Sequence, residues 1–289
     1  MVKYRVVGEN MIIHYTIVAL SCIAALLIYF LTGQYLYWYC IFLIPLYYLG
    51  ANIGLLLIYM LFLAVVSWFL NRRDIPAKPN IFYYAIIRET AILGLFFTRC
   101  KIKKVNTNLE PKKKRYLLVC NHQSNFDAIV AFKCLKEYPV LCVTKPENLS
   151  VPVAGKWMRY AGFIPIERDD IKQAAEAIST AAKYIKENRS SICIFPEGKR
   201  NFEDGVLDFH AGSFKIAYRA KCPIVISSLK NTKMIKERFP FKRTKVRYSI
   251  LKVLEYDEYK DKSTSEIASY AQQLILEDLG RWSYGIFNI

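Results

Sequence analysis

Apolar side chains dominate the first seventy residues of the chain, and from residue 10 onward no charge interrupts them. Residues 10–71 contain no Asp, Glu, Lys or Arg, and this run is far longer than any core helix of a globular protein. At about 1.5 Å of rise per residue, it accommodates at least two membrane spans of about 20 residues each. The pattern predicts a first span over residues 11–31, a break at residues 32–34, and a second apolar segment over residues 40–70.

The second apolar segment is longer than one upright span requires. A kink or a division at Pro45, or at the glycines that follow it, would account for its length, so the pattern allows two spans or three. We favour two, because an even number places Lys3 and Arg5 on the same side as Arg72 and Arg73, and cytoplasmic segments are enriched in basic residues. The sequence thus predicts a multi-pass protein of the cell inner (cytoplasmic) membrane with its remaining residues on the cytosolic side.

After the apolar run, short uncharged segments alternate with segments of helical periodicity. The short β-prone runs predict buried strands at residues 116–120, 140–143, 191–195 and 224–227. One helix between them has a predicted apolar stripe made of Ile171, Ala175, Ile178, Ala182 and Ile185. Strands alternating with helices predict an α/β fold with a largely parallel or mixed sheet flanked by helices, preceded by an N-terminal transmembrane helical hairpin. We therefore divide the chain into membrane-spanning residues 1–75 and a cytosolic domain of residues 76–289.

Three further segments carry predictions of their own. Residues 101–115 contain seven basic residues and predict a solvated loop whose charges together favour an anionic lipid surface. Residues 245–254 alternate enough to predict an edge strand. The last helix is predicted to begin with a capping box of Ser263 and Glu266, to bury Tyr270 among its apolar residues, and to end at Gly280.

Charge and cysteine content narrow the class of protein. The net charge is +17, and nearly all of it follows the apolar run. A basic domain favours nucleic acid or anionic lipid, and attachment to a bilayer favours membrane lipids over nucleic acid. The eight cysteines include no C-x-x-C pair, which argues against a zinc site and favours reduced thiols in a cytosol.

The strongest chemical signal lies in residues 116–127. His122 directly follows a predicted strand, where open α/β sheets bind ligands, and Ser124 with Asp127 forms a capping-box-like start to the next helix. Asp127 can fold back from the first helical turn onto the imidazole. Such a pair is two thirds of a serine-hydrolase triad, but no Gly-x-Ser-x-Gly motif supplies a nucleophile. The spacing therefore indicates a general base that acts on a substrate hydroxyl.

Four short motifs follow one another at predicted strand ends. They are N-H-x-x-x-x-D at residues 121–127, a Gly with an apolar run ending in Arg at 162–168, F-P-E-G-K-R at 195–200, and C-P-I-V-I at 222–226. With these motifs the chain resembles the glycerolipid acyltransferase family over roughly residues 96–254. Two residues depart from the family pattern. Lys199 stands where Thr is usual and adds a positive charge beside the position at which the resemblance implies a phosphate site, and Ser227 stands where a second Pro is common.

The resemblance implies a role for each of these residues. It makes His122 the general base and Asp127 its orienting partner. It implies a set of acceptor-binding residues, of which the arginines hold a phosphate: Glu197, Gly198, Arg168 and Arg200. We add Lys145 from its position at another predicted strand end. His210 has no carboxylate at a matching spacing and is interpreted as a structural or surface residue.

The resemblance also implies a reaction. An acyl chain would pass from acyl-coenzyme A or acyl-carrier protein to the free hydroxyl of 1-acyl-glycerol-3-phosphate (lysophosphatidic acid), giving phosphatidic acid for phospholipid biosynthesis, without a metal or bound cofactor. Backbone N–H groups after Ser124 are candidate donors to the oxyanion. Glycerol-3-phosphate or another lysolipid fits the motifs equally well as acceptor. A membrane-bound thioesterase would not need the cations at strand ends, and a non-enzymatic lipid adaptor would leave the His122 and Asp127 pairing unexplained.

Overall fold

The computed structural model describes residues 11–70, 78–167, 170–203 and 205–283. These residues form two compact units, one of residues 11–70 and one that begins at residue 78. The four basic residues used to predict the orientation of the spans, Lys3, Arg5, Arg72 and Arg73, lie outside the described residues. The orientation therefore stays a prediction.

The N-terminal unit is a pair of apolar helices. Helix α1 is Ile12–Leu31 and helix α2 is Ile44–Phe69, joined by the short 3₁₀ turns Gln34–Leu36 and Trp38–Leu43, and the two helices pack against each other. The helical segments Ile12–Leu31 and Trp38–Phe69 are long and apolar enough to cross a membrane. Only 11% and 6% of their apolar windows are buried, so neither resembles the core helix of a soluble unit. The predicted pair of apolar helices is confirmed.

No break divides the second of these helices. Pro45 lies in the first turn of α2, where its missing N–H costs no helical hydrogen bond. Gly50 and Gly54 lie within the same continuous helix. Of the two alternatives, the described residues thus favour two long helices over three.

The C-terminal unit is built on a seven-stranded sheet. Its strands lie in the order β1-β7-β6-β2-β5-β3-β4. Their bounds are Cys100–Val105 (β1), Leu117–Cys120 (β2), Val140–Thr144 (β3), Ile164–Pro165 (β4), Ser191–Ile194 (β5), Ile224–Lys230 (β6) and Thr244–Leu254 (β7). Among the strands that the structure describes, only β6 and β7 pair in the antiparallel sense, so the predicted mixed α/β sheet is confirmed.

Two predictions about this sheet are wrong in part. Residues 101–105 of the predicted loop belong to the edge strand β1. The strand predicted at residues 245–254 exists within β7, but β7 lies second from the edge. In β1 the half-buried Cys100 and Ile102 alternate with the exposed Lys101 and Lys103. Outward lysines are typical of edge strands because they oppose pairing with another chain, and their charge obscures the strand in the sequence.

Eight helices accompany the sheet in the described part of this unit. They are Ile81–Phe97 (α3), Phe126–Cys134 (α4), Ala154–Ala161 (α5), Ile171–Lys186 (α6), Lys215–Ala220 (α7), Met234–Arg238 (α8), Tyr256–Tyr259 (α9) and Thr264–Ser283 (α10). Helix α3 packs on α4 and α5, and Arg88 in α3 donates from Nη2 to the carbonyl of Phe132 in α4 at 3.0 Å.

The predicted ends and faces of these helices are correct only in part. The Ser263 and Glu266 capping box of α10 forms, with hydrogen bonds of 2.6 and 3.2 Å, but α10 continues past Gly280 to Ser283. Tyr270 is 40% exposed and Ile171 is 87% exposed, so neither belongs to a buried face. Ile171 begins α6, and Ala175 of the predicted stripe is exposed as well. The buried face of that helix begins almost two turns after Ile171 and consists of Ala177, Ala181, Ala182, Tyr184 and Ile185.

The strand directions define two opposite edges of the sheet. The carboxyl ends of the parallel strands β2 to β6 all lie on one side of the sheet. We call this line of strand ends the C-terminal edge, and it is distinct from the lateral edges of the sheet. Because β7 runs against β6 and β1 runs with β7, β1 and β7 begin at this same edge. The loop of residues 106–116, which joins the end of β1 to the start of β2, therefore lies at the opposite edge.

Candidate active site

His122 and Asp127 meet at the C-terminal edge, in the turn between β2 and α4. Nδ1 of His122 lies 2.7 Å from Oδ2 of Asp127. The same carboxylate oxygen accepts the backbone N–H groups of Gln123 and Ser124 at 2.6 and 2.7 Å, and Asp127 is fully buried. Three donors therefore fix the carboxylate. The carboxylate in turn selects the imidazole tautomer with its proton on Nδ1, which leaves the Nε2 lone pair available for chemistry.

The predicted capping pattern forms around Ser124. Its Oγ accepts the N–H of Phe126 at 3.1 Å, while its own N–H is bound by Asp127. The N–H of Asp127 donates to the Ser124 carbonyl at 3.2 Å. Phe126 and Asp127 both donate within the turn, so these two N–H groups are already engaged. The expectation that backbone N–H groups after Ser124 stabilise an oxyanion stays a prediction.

The turn that carries His122 is tied to a neighbouring strand through Asn121. This buried residue donates from Nδ2 to the Leu229 carbonyl at 2.9 Å, and its Oδ1 accepts the Leu229 N–H at 2.8 Å. The amide thus reproduces a strand-to-strand pair just beyond the end of β2. On its other side, the His122 carbonyl accepts the N–H of Asn201 at 2.7 Å.

Glu197 lies behind His122, outside the cavity lining. Its Oε1 accepts the backbone N–H of His122 at 2.6 Å, and its Oε2 accepts that of Leu207 at 2.9 Å. The residue is only 3% exposed, and burial raises its pKa. A direct contact with an acceptor, as the resemblance implies, would require one of these oxygens to change partner.

The F-P-E-G segment forms a tight turn that lines one wall of the site. The N–H of Gly198 donates to the Phe195 carbonyl at 3.1 Å, and Gly198 has φ of +76°, a conformation that favours glycine. The Phe195 ring stacks on the His122 ring, with centroids 4.2 Å apart and an angle of 18° between the planes. The motif therefore shapes the surroundings of the base as well as supplying charged side chains.

A cavity of about 880 Å³ opens in front of His122, at the upper end of the range for small-molecule sites. It is lined by three cations from two different loops, Lys145 after β3 and Lys199 and Arg200 after β5. None of the lining residues that the structure describes is Asp or Glu. Arg200 is held at the wall by Asn125, whose Oδ1 accepts from its Nη1 at 2.8 Å.

The rest of the cavity wall includes an apolar part. It is formed by side chains from the strand ends, from α6 and from the loop after the F-P-E-G turn, including Val143, Ile166, Ile178, Ile194 and Phe202. The cavity thus presents cations and an uncharged surface to the same space. Such a site suits an amphiphile that carries an anionic group.

The structure brings together most of the residues singled out from the sequence. His122, Lys145, Gly198 and Arg200 line one cavity, with Asp127 bound to the first of them. Arg168 lies outside the described residues, so its role stays a prediction.

His210 is exposed, which agrees with its interpretation as a structural or surface residue, but it also lines the same cavity, which the sequence did not indicate. Its N–H donates to the Pro196 carbonyl at 2.9 Å, which brings the loop after the F-P-E-G turn back to the site. A search for a histidine with a carboxylate at a fixed spacing cannot find such a residue. Its position in the loop that follows a site-bearing strand was the usable signal.

Two of the motifs contribute to the fold, although Ile166 of the second also lines the cavity. Gly162 ends α5 with φ of +100°, and a Cβ atom there would lie 2.9 Å from the Cα of Pro79, so glycine permits close chain packing. In the fourth motif, the Pro223 carbonyl accepts the N–H of Leu117, and none of that motif's residues lines the cavity. Ser227 faces Tyr248 at a hydroxyl distance of 3.1 Å.

Comparison with known proteins agrees with these observations. Residues 101–229 match the family model described as Acyltransferase. The predicted resemblance is confirmed. The matched region contains the His122 turn and the cations at the cavity wall.

The chain is also similar to individual proteins of this group. It is 32% identical to the probable 1-acyl-sn-glycerol-3-phosphate acyltransferase of Mycoplasma genitalium over 58% of this chain and 63% of that protein. It is 28% identical to the 1-acyl-sn-glycerol-3-phosphate acyltransferase of Salmonella typhimurium over 55% of this chain and 64% of that protein. The chain thus spans slightly less than two thirds of the length of these relatives.

The fold is similar to that of a solved structure. The crystal structure of the 1-acyl-sn-glycerophosphate (LPA) acyltransferase from Thermotoga maritima superposes with a TM-score of 0.62 and 19% sequence identity. The match covers 80% of this chain and 91% of that chain. It confirms the fold predicted from the order of strands and helices.

Proposed function

We propose that the protein transfers an acyl chain from a thioester donor to the free hydroxyl of lysophosphatidic acid, giving phosphatidic acid. The observation that carries this proposal is the His122–Asp127 pair facing a cavity whose described lining residues include three cations and no carboxylate. A phosphate monoester requires several donors and positive charge, and an Arg can grip it with two parallel hydrogen bonds. The names of the similar proteins support the same acceptor.

In the proposed mechanism, Nε2 of His122 removes the proton of the acceptor hydroxyl as its oxygen attacks the thioester carbonyl. Asp127 keeps the other ring proton on Nδ1 and stabilises the imidazolium that forms. The tetrahedral intermediate then collapses, the C–S bond breaks, and the imidazolium protonates the leaving thiolate. One ester and one free thiol result, so no metal or bound cofactor is needed in this scheme.

The cavity wall supplies the binding contacts in this proposal. Lys145 and Arg200 hold the phosphate, Lys199 adds positive charge beside them, and Arg168 is a further proposed ligand. The apolar part of the wall receives the lipid chain. Acyl-coenzyme A and acyl-carrier protein both supply a thioester of the required kind.

The proposed setting is the cytosolic face of the cell inner membrane, within phospholipid biosynthesis. The two apolar helices of residues 12–31 and 38–69 support membrane attachment by their length and composition. The acceptor and the product are both membrane lipids, so attachment would keep the site next to its substrate.

The test is an assay of thiol release from a long-chain acyl-coenzyme A by the purified full-length protein in detergent. Release should depend on lysophosphatidic acid and yield phosphatidic acid, and His122→Ala should lower kcat by about 10²- to 10⁴-fold, the usual contribution of a general base. A parallel series with acyl-carrier protein identifies the donor.

Three outcomes would contradict parts of the proposal. Release without any acceptor would indicate a thioesterase. A preference for glycerol-3-phosphate or another lysolipid would change the acceptor. Full activity of His122→Ala with either donor would refute the role of His122.

A further inference from the structure

A loop beside the candidate active site exposes aromatic side chains between basic ones. It covers residues 236–243, from the last turn of α8 to the start of β7, and we call it the basic aromatic loop. Phe239 is 51% exposed and Phe241 is 85% exposed. The four cations of the loop are also exposed: Lys236, Arg238, Lys242 and Arg243. Over residues 230–245 there are seven basic residues and one acidic residue.

The basic aromatic loop projects beyond the C-terminal edge of the sheet. Lys230, the last residue of β6, pairs with Arg247 of β7, whereas β7 already begins at Thr244. The loop is held in place by backbone hydrogen bonds from Phe239 N–H to the Ile235 carbonyl (3.1 Å) and from Lys242 N–H to the Arg238 carbonyl (2.8 Å). It is therefore an ordered projection rather than a loose connection.

Other exposed apolar side chains lie at the same edge. Phe96 and Phe97, at the end of α3, are 45% and 47% exposed, and Phe202 at the cavity wall is 68% exposed. Arg99, just after α3, donates to the Phe241 carbonyl at 3.3 Å, which links the end of α3 to the loop. Several large exposed apolar side chains therefore share this end of the unit, and exposed apolar surface is a mark of interaction sites.

We propose that the basic aromatic loop is a lipid-contact surface of the α/β unit. Its cations would meet anionic head groups, and its two phenylalanines would enter the boundary between head groups and acyl chains. Basic residues flanking large apolar side chains are the typical composition of interfacial segments, and each Lys or Arg near an anionic surface adds attraction. The proposal rests on exposure and charge, so it is independent of the proposed reaction.

This location differs from the one that the sequence indicates. The basic run at residues 101–115 suggests a lipid-attracting stretch, but its part from residue 106 onward lies at the opposite edge of the sheet. That edge offers matched control positions. Leu109 is 45% exposed, and Lys112 and Lys113 are exposed neighbours.

The test places a single fluorescent aromatic amino acid at position 241 of the full-length protein by stop-codon suppression, with a second protein labelled at position 109. Both are reconstituted in phosphatidylcholine vesicles containing about 30% phosphatidylglycerol, where the surface is strongly anionic. Nitroxide-bearing lipid should quench the label at position 241 about threefold more than the label at position 109. Aqueous iodide should quench the label at position 109 more than the label at position 241. The readout is contact with lipid, so it can fail without affecting the proposed function.

Charge reversal separates lipid attraction from simple exposure. In the protein labelled at position 241, K242E/R243E should reduce the excess quenching by at least about twofold, and so should replacing the anionic lipid with phosphatidylcholine. The matched variant K112E/K113E should leave it unchanged. Equal quenching at positions 241 and 109, or quenching insensitive to both charge changes, would overturn the proposal. In detergent without lipid, the label at position 241 could be protected from iodide in a way that is lost when the protein is diluted. That result would indicate contact with a second copy of the chain and would also overturn the proposal.

Discussion

Replacing Asp127 with Asn tests how the carboxylate controls His122. In the Ser-His-Asp triad, such a change costs about 10⁴-fold because the amide turns its NH₂ toward the imidazole and enforces the wrong tautomer. Here, Oδ2 of Asp127 also accepts two backbone N–H groups, from Gln123 and Ser124. An amide NH₂ in that position would face three donors. We therefore expect the Asn oxygen to replace Oδ2 and the correct tautomer of His122 to persist.

The expected loss of activity is then electrostatic only. A hydrogen bond to a charged group contributes about 1.5–3 kcal/mol, compared with about 0.5–1.5 kcal/mol between neutral groups. The difference of about 1–2 kcal/mol corresponds to about a 5- to 30-fold fall in kcat. The Asn NH₂ would occupy the place of Oδ1, which is buried without a hydrogen-bond partner among the described residues. This unpaired group should lower the free energy of unfolding by about 1–3 kcal/mol.

The assay combines steady-state kinetics with ¹⁵N nuclear magnetic resonance of the His122 ring. Asp127→Asn should keep the proton on Nδ1 and lose less activity than His122→Ala. Asp127→Ala is the control, because it removes the acceptor for all three donors and should lose more activity than Asp127→Asn. If Asp127→Asn shows the proton on Nε2 and is as inactive as His122→Ala, the backbone N–H groups do not fix the orientation of the side chain and our reasoning is wrong.

Two further substitutions test the rest of the site. Glu197→Gln keeps only one of two accepting oxygens and breaks the bridge between the His122 and Leu207 backbones, so kcat should fall about tenfold while the KM for lysophosphatidic acid stays nearly unchanged. The control is Glu203→Gln, at an exposed neighbouring position. A rise in KM alone would indicate direct contact of Glu197 with the acceptor. Because burial raises the pKa of Glu197, wild-type stability should increase relative to Glu197→Gln as pH falls from 7 towards 4, measured by denaturant unfolding. Arg200→Lys keeps the charge but loses the planar pair of donors, so the KM for lysophosphatidic acid should rise about tenfold with little change in kcat. An unchanged KM would show that Arg200 does not bind the phosphate.

The parts of the site that local sequence could predict are those made by local contacts. The strand before His122 is an uncharged run that is wholly buried, and Asp127 reaches the imidazole across five positions of the same turn. Both features depend on periodicity and on helix-start chemistry, which a single sequence displays. Similar reasoning identified Lys145 from its position after a predicted strand, whereas Arg200 was indicated by the family resemblance.

The features that were missed depend on partners distant in the chain. Strand β1 exists because it pairs with β7, more than one hundred residues later, and its lysines give no local sign of a strand. The carboxylate of Glu197 turns away from the cavity because the N–H groups of His122 and Leu207 draw it there. His210 reaches the cavity through a backbone hydrogen bond to Pro196. None of these pairings has a fixed spacing that a pattern search can detect.

The pair of hydrogen bonds between the Asn121 side chain and the Leu229 backbone has a consequence for synthesis of the protein. The two residues are 108 positions apart, and chains are made from the N-terminus at about 5–20 residues per second. His122 therefore emerges from the ribosome several seconds before the strand that holds its turn. A nascent or prematurely terminated chain that stops before Leu229 lacks that partner strand, so the base acquires its working position only when β6 has been made.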